Sequence, residues 1–195
     1  MIRITTGIYK GRNLKIPEGI RPTQNVTRKA LFDIIGDIEG LTFLELFAGS
    51  GAVGLEAASR GAKGVVFVEN SGASIKAIND NIALIRGSGI SQAQLRDYLV
   101  IQSDVNEPIK QLSRQKKVFD LIFLDPPYCR GGAEEPLVKK TLQTLCAYDI
   151  LPPTGLIIAQ YSKKESLPEH LGVLNLLKLS VYGDTKISFY QKKVV

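Results

Sequence analysis

The stretch from Phe43 to Ala57, Phe-Leu-Glu-Leu-Phe-Ala-Gly-Ser-Gly-Ala-Val-Gly-Leu-Glu-Ala, limits the possible folds more than any other part of the chain. An apolar run over residues 42–47 breaks at Gly49, Ser50 and Gly51, then resumes at helical spacing with Val53, Leu55 and Ala58. The pattern predicts a strand, a tight glycine turn and a helix. Glycine suits such a turn because the backbone must bend sharply and approach a ligand without an intervening Cβ. The helix that follows aims unpaired N–H groups back into the turn. The turn is read as a cofactor loop.

Gly49, Gly51 and Gly54 have the spacing of a dinucleotide fingerprint, which alone is a weak signal. Glu45 separates the possibilities. It lies inside an apolar strand, where an unpartnered carboxylate is costly. A nicotinamide site presents backbone amides to pyrophosphate, whereas a carboxylate suits a cationic ligand such as the amino group and sulfonium of S-adenosylmethionine. Glu45, Phe47, Gly49 and Gly51 resemble the first motif of the S-adenosylmethionine-dependent methyltransferases, whose members often carry Asp where Glu45 stands.

Strand and helix patterns then alternate. Residues 64–69 read as a buried strand ending in Glu69, where an acidic side chain can accept from both hydroxyls of a ribose in either cofactor class. Residues 74–86 read as a helix and 98–102 as a strand leading to Asp104, which can meet an adenine amino group or cap the next helix, 106–114. Residues 118–124 form a fourth strand, 136–147 a helix and 156–161 a fifth strand. Residues 173–181 and 185–192 read as an antiparallel hairpin at the sheet edge. The expected fold is α/β: a Rossmann-like, mostly parallel, doubly wound sheet with an antiparallel C-terminal hairpin.

The fourth strand runs into Asp125, Pro126, Pro127 and Tyr128. Two prolines stiffen the backbone and remove two donors, leaving the Pro126 carbonyl as an acceptor. With the Asp125 carboxylate and the Tyr128 ring, this makes a clamp for an exocyclic amine on a planar base. Cys129 does not follow a proline directly, so it does not form the Pro-Cys pair of cytosine C5 chemistry.

Charge is concentrated at the N-terminus. The first thirty residues hold seven of the chain's 25 basic residues, Arg28 among them, and one of its 19 acidic ones; the other 165 carry 18 of each. A basic segment on a neutral body points to a polyanion, most naturally nucleic acid. Residues 2–17 read as a β-hairpin carrying Arg3, Lys10 and Arg12, followed by a turn with Arg21 and a helix from Thr23 to about Asp37. Residues 1–40 are expected to form a small RNA-contacting appendage on a catalytic domain spanning 41–195. Two cysteines and one histidine give a metal site or disulfide framework little to work with. No apolar run reaches the ~20 residues of a membrane span, and no secretory signal opens the chain. A cytoplasmic, metal-free monomer is expected.

With the Asp125 clamp beside the Glu45 loop, the chain resembles the amino-methyltransferases of nucleic acid bases. Arg21, Pro22, Thr23, Arg28, Leu31 and Phe32 narrow this to the bacterial-type family that methylates N2 of a guanine in small-subunit ribosomal RNA. The basic hairpin with Gly7, Tyr9, Gly11 and Arg12, and the closing Phe189, Tyr190 and Gln191, extend the resemblance over nearly the whole chain. It departs from the family at Asn25, Val26 and Lys29, where members often have Asp, Arg and an acidic residue. The resemblance implies that Glu45, Phe47, Ala48, Gly49 and Gly51 hold the methionine part of S-adenosylmethionine. Glu69 and Asn70 would take its ribose and Asp104 its adenine. Asp125, Pro126 and Tyr128 would form the catalytic clamp, and Arg3, Lys10, Arg12 and Arg21 would contact RNA. The same clamp would also serve N6 of adenine in DNA or RNA. A non-catalytic RNA-binding assembly factor and, more remotely, a nicotinamide oxidoreductase are the rival readings.

Overall fold

A computed structural model describes residues 2–19, 25–87, 96–127 and 135–193. The chain divides into two compact units, Met1–Ser103 and Asp104–Val195.

The first unit opens with β1 (Ile2–Arg3) and β2 (Asn13–Leu14), a short antiparallel pair with Ile2 opposite Leu14. Helix α1 (Asn25–Ile35) buries Leu31 and Phe32. Strands β3 (Thr42–Leu46), β4 (Gly64–Glu69) and β5 (Asp97–Gln102) run parallel, with β4 in the middle. Helices α2 (Ala52–Ser59) and α3 (Gly72–Arg86) make the crossovers. Residues 43–46 of β3 are all buried, as an apolar strand covered on both faces must be. Helix α2 does not have the one-sided apolar face its spacing suggested. All eight of its residues are buried, and its small side chains let it fit tightly against the sheet. On α3, Ser71 caps the N-terminus through the Ser74 N–H, while Ile78, Ile82 and Ile85 face inward.

The second unit holds α4 (Asn106–Arg114), β6 (Leu121–Leu124), α5 (Leu137–Ala147) and β7 (Leu156–Ser162), with β6 and β7 parallel. Strand β10 (Thr185–Lys192) pairs antiparallel with both β7 and β9 (Leu174–Tyr182), and the two-residue β8 (His170–Leu171) pairs with the start of β9. A bulge interrupts the β9–β10 ladder between Phe189 and Tyr190. The fourth strand is shorter than the apolar run from Val118 to Leu124 suggested. Val118 is exposed and the Phe119 N–H bonds to the Ile150 carbonyl, so the ladder to β7 begins only at Leu121. Likewise α1 covers Asn25–Ile35 rather than running to Asp37, and Thr23, expected to cap it, lies outside the described residues. Among the described residues no helix is long and apolar enough to cross a membrane.

Candidate functional site

The turn between β3 and α2 is built from backbone conformations that L side chains rarely adopt. Phe47 has φ 61, Gly49 φ 54 and Gly51 φ 73. A phenylalanine in this region is strained, and such strain gathers at ligand-binding turns. The Gly51 N–H closes the turn onto the Ala48 carbonyl at 2.7 Å, and the Ala48 N–H bonds to Val68 at the end of β4 at 3.1 Å.

Glu45 answers the cost of its burial locally. It is 3% exposed, and its Oε2 accepts the Gly54 N–H in the first turn of α2 at 2.8 Å. The positive end of the helix dipole favours a carboxylate there. Gly54 is what allows the approach: a Cβ on it would lie 2.7 Å from Glu45 Oε2 and 2.5 Å from the Phe67 ring. The third glycine of the fingerprint thus sets helix–strand contact and carboxylate position together.

Glu69 is held by three backbone donors. Its Oε2 accepts the Gly49 N–H at 2.8 Å, and its Oε1 accepts the N–H groups of Asn70 and Ser71, each at 2.9 Å. One side chain therefore joins the glycine turn to the end of β4, and it stays half-buried. Asn70 is exposed, and its carbonyl accepts a long bond from Gln102.

Asn81 on α3 had not been singled out from the sequence. It is fully buried and donates through Nδ2 to the Ser50 and Lys15 carbonyls, both at 3.0 Å. Its Oδ1 accepts the Lys15 N–H at 2.8 Å. The amide thereby fixes the glycine turn and the strand of the basic hairpin at one point. Its position among Ala77, Ile78, Ile82 and Ile85, on the buried face of α3, was the available signal.

The basic segment is only partly available to a polyanion. Arg3 and Lys10 are exposed and Arg12 is half-buried, while Arg21 lies outside the described residues. Arg28, counted above among the basic residues of the N-terminal segment, is buried. Its Nε meets Glu56 Oε2 at 3.3 Å, and its Nη2 donates to the Arg3 carbonyl and to Asn25. Burial lowers the affinity of its guanidinium for the proton, and Glu56 and Glu45 oppose that shift. Glu56, also missed from the sequence, accepts from Thr5, Thr6 and Arg60 as well.

In the second unit, Asp104 Oδ1 accepts from the backbone and side-chain nitrogens of Asn106, at 3.0 and 2.9 Å. The N-cap position of α4 is Val105, with no side-chain cap bond, so Asp104 does not take the capping role foreseen as one alternative for it; its carboxylate is exposed. Asp125 follows directly on β6, and its Oδ2 accepts the Gln160 Nε2–H at 2.7 Å. Pro126 is buried and Pro127 exposed; Tyr128 lies outside the described residues. In the first unit, Glu45, Phe47, Ala48, Gly49 and Gly51 lie along β3 and its turn, and the Glu69–Gly49 bond joins that turn to Glu69 and Asn70 at the end of β4. Asp104 and Asp125 belong to the second unit. Among the described residues no group of three His, Cys, Asp or Glu side chains is placed to hold a metal.

The chain matches other proteins over most of its length. It is 33% identical to the ribosomal RNA small subunit methyltransferase D of Haemophilus influenzae, over 97% of this chain and 93% of that protein. A hypothetical protein of Thermus thermophilus superposes with TM-score 0.80 at 29% identity, covering 97% of this chain and 98% of its own. A 16S rRNA N2 methyltransferase of Thermus thermophilus, solved with AdoMet and guanosine, superposes with TM-score 0.66 at 26% identity over 90% of this chain and 44% of that one. Their fold is the Rossmann-like α/β methyltransferase fold expected from the sequence. The family model described as conserved hypothetical protein 95 matches residues 2–191, and the chain belongs to that family, which is the family of the small-subunit ribosomal RNA methyltransferases D.

Proposed function

We propose that this protein transfers a methyl group from S-adenosylmethionine to the exocyclic N2 of a guanine in small-subunit ribosomal RNA. The observation that carries the reading is the position of Asp125, the first residue of the Asp-Pro-Pro-Tyr sequence, directly after a buried parallel strand, with its carboxylate already held by a hydrogen bond. Ligands of open α/β sheets bind beyond the carboxyl ends of the strands; Asp125 follows the carboxyl end of β6 in the second unit, and the glycine turn that of β3 in the first. The methyltransferase D relative of Haemophilus influenzae supports ribosomal RNA as substrate, and the Thermus thermophilus neighbour supports N2 as the acceptor.

The donor set suits the cofactor. Carboxylates at Glu45 and Glu69 match a ligand that carries ammonium, sulfonium and a ribose diol, and the Glu69 carboxylate is fixed in advance by three backbone donors. When bound, S-adenosylmethionine supplies an electrophilic methyl group on sulfur. Phe47, Ala48, Gly49, Gly51 and Glu45 would line its methionine part; Glu69 and Asn70 would take the ribose, and Asp104 the adenine.

Asp125 and the Pro126 carbonyl would accept the two N–H groups of the guanine amine, with Tyr128 stacked on the ring. An aminopurine nitrogen is a poor nucleophile because its lone pair is delocalised. Orienting that lone pair toward the methyl group supplies most of the acceleration, and the Asp125 carboxylate stabilises positive charge as it develops on nitrogen. Residues 1–40 would dock the RNA, with Arg3, Lys10, Arg12 and Arg21 on phosphates.

The test is transfer of labelled methyl from S-adenosylmethionine to small ribosomal subunits, followed by nucleoside digestion, with Asp125→Ala alongside. Label in N2-methylguanosine that disappears in the mutant is expected. Label in N6-methyladenosine would keep the clamp and replace the base.

A further inference from the structure

Gln160 is out of place by composition. It lies on β7, 5% exposed, between the buried Ala159 and Tyr161 and opposite the buried Ile187 of β10. Strands β6 and β7 run parallel with Leu124 beside Ala159, so the next step of the register puts Asp125 beside Gln160. The Gln160 Nε2–H donates to Asp125 Oδ2 at 2.7 Å. Its Oε1 is buried with no partner among the described residues. A buried acceptor without a partner is a cost that an apolar side chain of similar volume would not carry. Turning the amide over would not relieve it, because Oε1 would then face the carboxylate. The amide orientation is thus set by Asp125.

We propose that Gln160 is a positioning residue for methyl transfer: its N–H fixes the Asp125 carboxylate rotamer so that the acceptor meets the target amine. The inference rests on the role given above to Asp125. A carboxylate on a turn can rotate about two side-chain bonds, and a donor from the next strand removes that freedom. With one oxygen engaged by Gln160, the group's orientation is defined before substrate arrives, so the base is met by an acceptor that does not have to reorganise. The cost of the orphaned Oε1 is then accepted for geometry rather than for stability.

The experiment is steady-state methyl transfer to small ribosomal subunits by the full-length protein carrying Gln160→Met, Gln160→Glu, Asp125→Asn, and Asp125→Asn combined with Gln160→Met. S-Adenosylmethionine affinity and thermal unfolding are measured on each. Gln160→Met removes the donor at nearly constant volume. It should lower kcat by about tenfold to a hundredfold, the loss typical of a misplaced reacting group. The KM and Kd for S-adenosylmethionine should stay as in the wild type, and unfolding should shift little because the orphaned acceptor leaves with the donor. Gln160→Glu, which keeps the reach but presents a carboxylate, should lose kcat as well. In the double variant, removing Gln160 should add no loss to that of Asp125→Asn, since a positioning residue has nothing left to position. Wild-type kcat in both Gln160 variants, or losses that multiply in the double variant, would overturn the inference. Full activity of Asp125→Asn would instead overturn the clamp itself, so the two failures are distinguishable.

Discussion

Glu45 and Glu56 are both buried carboxylates of the first unit, 3% and 0% exposed, and they are held in opposite ways. Glu45 accepts a backbone N–H in the first turn of α2, within its own strand–turn–helix unit. Glu56, on the helix itself, gathers Arg28, Arg60, Thr5 and Thr6 from distant parts of the chain. The carboxylate of Glu45 is placed by the backbone of its own turn, close to the residues read as the cofactor loop. A carboxylate that holds two arginines is occupied, and serves to anchor the N-terminal segment. The difference between site and scaffold lies in who donates.

The sharpest break of that contrast is Glu56→Gln. It leaves Arg28, buried with no exposed surface, beside a neutral amide, and removing one partner of a buried ion pair costs about 3–5 kcal/mol. Urea unfolding should show a loss of that order. Gly54→Ala tests the other side. The added Cβ would meet Phe67, Glu45 and Val65 at 2.5, 2.7 and 2.8 Å, an overpacking worth about 1–3 kcal/mol. It should also weaken S-adenosylmethionine binding, which Glu56→Gln protein that remains folded should not; calorimetric titration separates the two. Glu69→Ala removes the carboxylate shared by the glycine turn and the end of β4. A loss of S-adenosylmethionine affinity of about tenfold, 1.4 kcal/mol, is expected with a smaller change in unfolding midpoint. The smallest effect belongs to the surface of the basic hairpin. Arg12→Glu should weaken RNA binding and reduce the slope of log affinity against log salt by about one, with cofactor affinity unchanged; equal RNA affinity in wild type and mutant would remove Arg12 from the RNA surface.

Where local pattern decides structure, the sequence was legible. β4 runs from Gly64 to Glu69 and α4 from Asn106 to Arg114, as read, because a β-branched run and a periodic segment announce themselves within a few residues. The glycine turn was legible for the same reason. What escaped depends on partners far away in the chain. Glu56 looks like a solvent-facing residue on a small helix until Thr5 and Arg28 are placed against it. Arg28 looks like one more surface cation until it is found buried beneath the hairpin. Gln160 lies in a strand whose other residues explain themselves by burial, and only the parallel register puts it next to Asp125. Polar residues inside apolar segments, Asn81, Glu56 and Gln160 alike, were the signal that could have been followed.

The anchoring of the N-terminal segment also bears on the order in which the chain can become ordered. Thr5 and Thr6 bond to Glu56, the Tyr9 N–H bonds to Ser59, and Lys15 bonds to Asn81, at separations of 50 to 66 residues. Contacts that close such long loops carry their entropic cost before they return any energy, which slows their formation. During synthesis, residues 5–15 are made before α2 and α3 and must wait for them before they have these partners to bind. A segment translated ahead of its partners is therefore among the last of the first unit to be fixed, and its basic side chains do not reach their final geometry until that wait ends.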